Sequence, residues 1–110
     1  MNFHVVTLFP EVIEAYTNAS ILGRGQKEKK FSVKTYQMRD FVTNKWGKVD
    51  GRPYGGGPGM VIEATPVIKA VERIKKSKPK AKVIITSAGG KPLTNAYAKS
   101  LLKNKDVIIV

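Results

Sequence analysis

A chain of 110 residues with 42% hydrophobic and 25% charged side chains has the balance of one folded domain, or a piece of one, and that excludes wholesale disorder. Twenty Lys and Arg against eight Asp and Glu give a net charge of +12 and an isoelectric point near 10.1, so a polyanion, with nucleic acid first, is the expected partner. The lack of cysteine excludes disulfides and thiolate chemistry, the single His4 excludes a histidine-rich metal site, and no apolar run approaches the about 20 residues of a membrane helix.

Asn2–Leu8 (NFHVVTL) is short and β-branched, the pattern of a buried strand. Pro10 suits the first turn of a helix, where its missing N–H costs nothing, and Glu11 and Glu14 complement the positive end of the dipole. Val12, Ile13 and Tyr16 form one apolar face of that helix. Ser20 is the expected cap of a second short helix carrying Ile21 and Leu22, with Gly23-Arg24-Gly25 interrupting it. Phe31–Gln37 alternates Phe31, Val33 and Thr35 against Ser32, Lys34 and Tyr36, a strand with one wetter face.

Phe41–Met60 has no usable period, is rich in glycine and proline, and is too long for an ordinary connection. Thr65 as cap and Pro66 as first residue open the clearest helix, with Val67, Ile68, Val71 and Ile74 as its buried stripe and Lys75, Lys76 and Lys78 at its end. Lys82–Thr86 is another parallel-type strand, Ser87–Pro92 a tight turn, and Thr94 the cap of a helix through Lys103 with Ala98, Leu101 and Leu102 inward. Val107–Val110 is a further buried strand. The order β-α-α-β-loop-α-β-α-β predicts a parallel α/β sheet with helices on both faces. The apolar VIIV ends without turn or polar cap, and the chain is expected to continue beyond it.

Asp50–Met60 (DGRPYGGGPGM) is the feature richest in chemistry. Glycines at 55, 56, 57 and 59, stiffened by Pro58, let a ligand touch bare backbone and can cup a flat ring. Tyr54 can stack on a base, and Arg52 can meet a phosphate or a guanine edge. The run lacks the Gly-Lys-Ser/Thr ending of a phosphate-binding loop, and no strand feeds it as in a dinucleotide fingerprint. A flexible linker is the bland alternative, but linkers favour Ser, Gln and Lys. Ile84–Gly90 (IITSAGG) places small residues after a parallel strand, where backbone can read an adenine edge; taken alone it reads first as an ordinary turn. Asp50, set among Arg39, Asp40 and Arg52, reads as an ion-pair member suited to recognition more than to proton abstraction. His4 reads as a satisfied core or edge histidine.

Three blocks carry a resemblance. Thr7-Leu8-Phe9-Pro10-Glu11, the pairs Gly23-Arg24 and Arg39-Asp40 with Phe41, and above all Val49–Met60 (VDGRPYGGGPGM) resemble the bacterial tRNA (guanine-N1)-methyltransferase family. The resemblance covers Phe3 to Val110. It implies the SPOUT class, an α/β fold whose later part ties a trefoil knot around S-adenosylmethionine and which works as a homodimer in the cytoplasm. It implies that residues 1–110 are the amino-terminal part of that domain, stopping before the knot, the general base and the carboxyl-terminal tRNA-binding domain. No catalytic residue and no metal ligand is then expected here, although the family implies a supporting Mg²⁺. Ile85, Thr86, Ser87 and Ala88, with Pro58 and Gly59, fall where the family holds its cofactor. The family's usual aromatic, Leu and Ser-Pro are replaced at three of the four turn positions, with Ser87 kept. Asp50, Arg52, Tyr54, Gly55, Gly56 and Gly57 fall where it holds the guanines of the tRNA anticodon loop. The implied reaction is methyl transfer to N1 of the guanine 3′-adjacent to the anticodon, position 37, by an assembly of which this stretch alone is inactive. The alternatives are a non-catalytic RNA-binding module and a small phosphate-binding domain.

Overall fold

β-branched and aromatic residues at Asn2–Thr7 make β1, the strand around which the molecule is built. The computed structural model describes residues 1–110. After β1 come α1 (Pro10–Thr17), α2 (Ser20–Lys27), β2 (Ser32–Gln37) and a single 3-10 turn at Met38–Phe41. A long loop follows, containing the two-residue strands β3 (Asp50–Gly51) and β4 (Val61–Ile62). The chain ends with α3 (Ala64–Ser77), β5 (Lys82–Ile84), α4 (Asn95–Leu101) and β6 (Asp106–Ile109). The main sheet is wholly parallel in the order β2-β1-β6-β5, and β3 and β4 form a separate antiparallel ladder. The expected parallel α/β sheet with flanking helices is therefore what forms.

Register decides the two faces of the sheet. Partners across a parallel ladder share a face, so His4, Val6, Lys34, Tyr36, Asp106 and Ile108 look one way, and Phe3, Val33, Val107, Ile109 and Ile84 the other. On the first face α3 lays Ala70 and Ile74 against Val6 and Ile108, and Met38, Val49 and Ala81 complete the core. Ile74 and Ile108 are fully buried, and Ile74→Ala would cost about 2–5 kcal/mol. The second face is covered by α1 and α2 beside β2 and, loosely, by α4 beside β5.

Several local expectations give way to packing. Helix α2 runs straight through Gly23-Arg24-Gly25, because these glycines allow close approach and do not stop the helix. Its cap position is Ala19, and Ser20 makes no capping bond. Helix α3 begins at Ala64, and Glu63, not Thr65, is its cap. Pro66 then lies third in the helix, where an N–H still has no intrahelical acceptor, so it is tolerated. The buried stripe of α3 is Pro66, Ala70 and Ile74, and Ile68 is exposed, because tight contact with the sheet selects the small Ala70 for the closest approach. Val12 and Tyr16 of α1 are exposed, and of the three residues expected inward on the last helix Ala98 and Leu102 are exposed and Leu101 is half-buried. The Thr94 cap is as expected, its side-chain oxygen accepting from the Tyr97 N–H at 3.1 Å.

Candidate functional site

The glycine segment is held at its base and free at its tip. Asp50 pairs with Ile62 and Gly51 with Val61, so β3 and β4 clamp the loop's ends. Val49, just before it, is buried in the core, and its carbonyl accepts from the Glu63 N–H at 2.8 Å, tying the stem to the start of α3. Between the clamps a turn closes where the Gly56 N–H donates to the Pro53 carbonyl at 3.0 Å. Gly57 and Gly59 have φ of +100° and +90°, a backbone that side chains rarely adopt, and no atom lies within 4 Å of where a Cβ would stand. The main chain is therefore presented bare to solvent. Tyr54 is fully exposed beside it, and Arg52 and Pro58 are exposed on the same loop.

Asp50 and Arg52 do not pair with each other or with Arg39 and Asp40; both ion pairs in the chain involve Asp106. Arg39 instead donates to the Gly47 carbonyl at 3.0 Å. The expected ion-pair role of Asp50 is thus corrected: its half-buried carboxylate is left as a free acceptor beside the glycine backbone.

The second region follows β5. The Thr86 N–H and hydroxyl both donate to the Val110 carbonyl at 2.9 Å, locking the end of β5 to the end of β6. The Ser87 carbonyl accepts from Gly90 at 3.1 Å, and its side-chain oxygen from Gly89 at 3.3 Å, closing the turn. The N–H groups of Ile85, Ser87 and Ala88 make no hydrogen bond within the chain. Three open donors in four exposed residues at the carboxyl end of a parallel strand fit an adenosine edge read by backbone. Ile85, Thr86 and Ser87 also stand on the wall of a mostly apolar cavity of about 630 Å³ under α4; Ala88 does not. Phe3, Leu93, Tyr97, Leu101 and Ile109 line the same space, and sequence reasoning did not assign them. The signal was weak: Leu93 and Tyr97 are isolated apolar residues around a cap. The glycine loop is not among the walls of this cavity.

At the other end of the strands a polar network is closed. His4 is 6% exposed; its Nδ1 lies 3.1 Å from the Tyr36 hydroxyl and its Nε2 3.2 Å from the Asp106 carboxylate. Asn2 donates to the same carboxylate oxygen at 3.0 Å, and Lys78 stands 4.0 Å away. The Asn2 hydrogen bond, then that of His4 and the charge of Lys78, holds the Asp106 carboxyl below its ordinary value against the opposing effect of burial. Burial pushes the Tyr36 hydroxyl up. Every buried side-chain polar atom has a partner, which is how a histidine is accommodated in the core.

The family model for tRNA (Guanine-1)-methyltransferase TrmD matches residues 1–110. The chain belongs to this family. A tRNA (guanine-N(1)-)-methyltransferase of Geobacter metallireducens is 38% identical over 110 residues, all of this chain and 45% of that protein. One from Caldicellulosiruptor saccharolyticus is 43% identical, over all of this chain and 44% of that protein. A crystal structure of tRNA (m1G37) methyltransferase from Aquifex aeolicus superposes with a TM-score of 0.88 at 32% identity, covering 99% of this chain and 49% of that one. The chain thus spans a little under half the length of the tRNA methyltransferases it matches, and it shares their fold. No three His, Asp or Glu side chains come together as a metal site. No helix is long and apolar enough to cross a membrane.

Proposed function

We propose that these residues form the cofactor- and guanine-facing part of a cytoplasmic, homodimeric enzyme. It transfers a methyl group from S-adenosylmethionine to N1 of the guanine at position 37, 3′-adjacent to the anticodon of tRNA. The observation that carries the reading is the clamped loop Arg52–Met60, whose backbone is held at positive φ in open space beside an unpaired carboxylate. When bound, S-adenosylmethionine supplies an electrophilic methyl on its sulfonium. The open N–H groups of Ile85, Ser87 and Ala88, with Thr86 fixing the turn, hold the adenosine, and Pro58 and Gly59 border the methyl and the target base. Gly55, Gly56 and Gly57 let a guanine plane approach the main chain, Tyr54 stacks on a base, and Arg52 meets a phosphate or a guanine edge.

Guanine N1 carries a proton at neutral pH, and a base must accept it as the N1–methyl bond forms. Asp50 takes a recognition role, accepting a hydrogen bond from the N1/N2 edge; its half-buried carboxylate without an ion-pair partner supports this. No residue of this stretch is assigned as the base, and residues 1–110 alone are expected to transfer no methyl. Rate then comes from alignment, with donor methyl and acceptor nitrogen held about 3 Å apart on one axis. The +12 charge favours one second reading, an RNA-binding module without chemistry.

The test uses the complete product of the gene encoding these residues, labelled S-adenosylmethionine, and tRNA transcripts carrying guanine or adenine at position 37. Label is expected in the guanine transcript alone. Equal labelling of both overturns the N1-guanine reading, and binding without any transfer favours the module.

A further inference from the structure

The one tryptophan of the chain is among its most exposed residues. Trp46 is 84% exposed, an unusual place for the side chain that gains most from burial. Its backbone is also held firmly. The Asn44 side chain accepts from the Trp46 N–H at 3.2 Å and from the Lys48 N–H at 2.8 Å, and donates to the Lys48 carbonyl at 2.7 Å. The Asn44 carbonyl accepts from the Gly47 N–H at 3.2 Å, and Arg39 donates to the Gly47 carbonyl at 3.0 Å. Gly47 takes φ +62°, which the turn needs and a side chain would resist. Five hydrogen bonds therefore fix the backbone of a short turn whose one aromatic side chain faces water. The Lys45 ammonium lies over the indole, 5.8 Å from its centroid, and occupies one face of the ring.

We propose that Trp46 is a preformed stacking platform for an unpaired RNA base, with Lys45 placed to meet that nucleotide's phosphate. The proposal rests on the tRNA reading given above and adds a second base contact to it. An indole has only two side-chain torsions and stands on a backbone already fixed, so ordering it under a base costs little of the stacking energy. Trp46 lies four residues before Asp50 on the same loop, a span of at most roughly 14 Å. The base it takes is thus a neighbour of the guanine that Asp50 orients, in a single-stranded loop and not in a duplex. A duplex offers no unstacked face to the ring.

The experiment uses the complete gene product and three variants, Trp46→Leu, Trp46→Phe and Lys45→Gln. Affinity is measured first without methyl donor, for an anticodon stem–loop RNA and for a blunt RNA duplex, and then kcat and KM for tRNA. Trp46→Leu is expected to weaken stem–loop binding and raise KM about tenfold while kcat stays within about twofold; Trp46→Phe retains most of the affinity because its ring still stacks. Duplex binding is expected to be unchanged in both. Lys45→Gln is expected to flatten the salt dependence of stem–loop binding. The parent's indole fluorescence is expected to be quenched by the stem–loop, and the Trp46→Phe protein should lack that component.

Unchanged stem–loop affinity in Trp46→Leu overturns the platform, as does an equal loss for stem–loop and duplex, or a parent that binds neither. The two readings fail separately. If Trp46→Leu loses stem–loop affinity while no variant or parent methylates guanine, the enzyme reading falls and the platform stands. If methylation proceeds normally with Trp46→Leu at parental KM, only the platform falls.

Discussion

Glycine serves opposite purposes in two regions of this molecule. In α2 there is no room for anything else: a Cβ on Gly23 would stand 2.1 Å from the Asn18 carbonyl oxygen, and one on Gly25 2.6 Å from the Phe31 ring. In the loop after β3 nothing lies within 4 Å of a Cβ on Gly57 or Gly59, and the demand is on the backbone angle. The first region uses glycine to bring helix and chain together, and the second uses it to hold them apart from everything. A glycine count cannot separate packing from presentation; the atoms around the missing Cβ can.

Substitutions in the two regions should therefore act on different observables. Gly23→Ala is expected to have the largest effect, a loss of about 3 kcal/mol in urea unfolding of the complete protein, because the obstacle is backbone and cannot step aside. Gly25→Ala should cost less, since its obstacle is a Phe31 ring that can tilt. If Gly23→Ala unfolds at the parental midpoint, the close-packing account of α2 is wrong. Gly59→Val should instead lower methyl transfer about 100-fold with unfolding within about 1 kcal/mol of the parent, since only an incoming ligand meets the side chain. Parental activity there would remove the loop from the site. Tyr54→Ala should raise KM for tRNA several-fold and leave the unfolding midpoint alone, because the ring touches little in the chain. A changed midpoint with unchanged KM would make Tyr54 structural.

The smallest effect concerns acid. Asp106 titrates below its ordinary value of 3.8 in the folded protein, so its contribution to stability is complete above that pH and is lost as pH falls below it. Asp106→Asn should therefore reduce the difference in stability between neutral pH and pH 3, measured by urea unfolding at each pH. A parental pH dependence in the variant would assign the acid sensitivity elsewhere.

How far the sequence could be read follows the same division between local and remote causes. Strands β1, β2, β5 and β6 and helices α1, α3 and α4 were legible because each carries its own pattern of apolar residues and helix-start signals. The Val49–Met60 motif was legible as a family signature. What failed depended on distant partners. Gly23 and Gly25 look like a helix break until Asn18 and Phe31 are seen against them. On α3, Val67, Val71 and Ile74 meet the core as expected, but Ala70, and not the larger Ile68, is the residue fully buried against the sheet. Val12 and Tyr16 of α1, and Ala98 and Leu102 at α4, follow helical spacing yet stay exposed, since periodicity names a face without naming what covers it. His4 read as satisfied, but Tyr36 and Asp106, its partners from 32 and 102 residues away, could not be named. Asp50 read as ion-paired because basic residues surround it in sequence; in space they turn elsewhere.

The order of strands in the sheet has a further consequence for how the chain is made. β6, made well after β1, lies between β1 and β5, and the Asn2 N–H donates to the Lys105 carbonyl at 2.8 Å. At ribosomal speeds of about 5–20 residues per second, roughly 5–20 s pass between the addition of residue 2 and that of residue 106. Throughout that interval β1 keeps one pairing edge open, with Val5 and Val6 beside it, so the nascent polypeptide needs protection from aggregation until β6 slots into the gap.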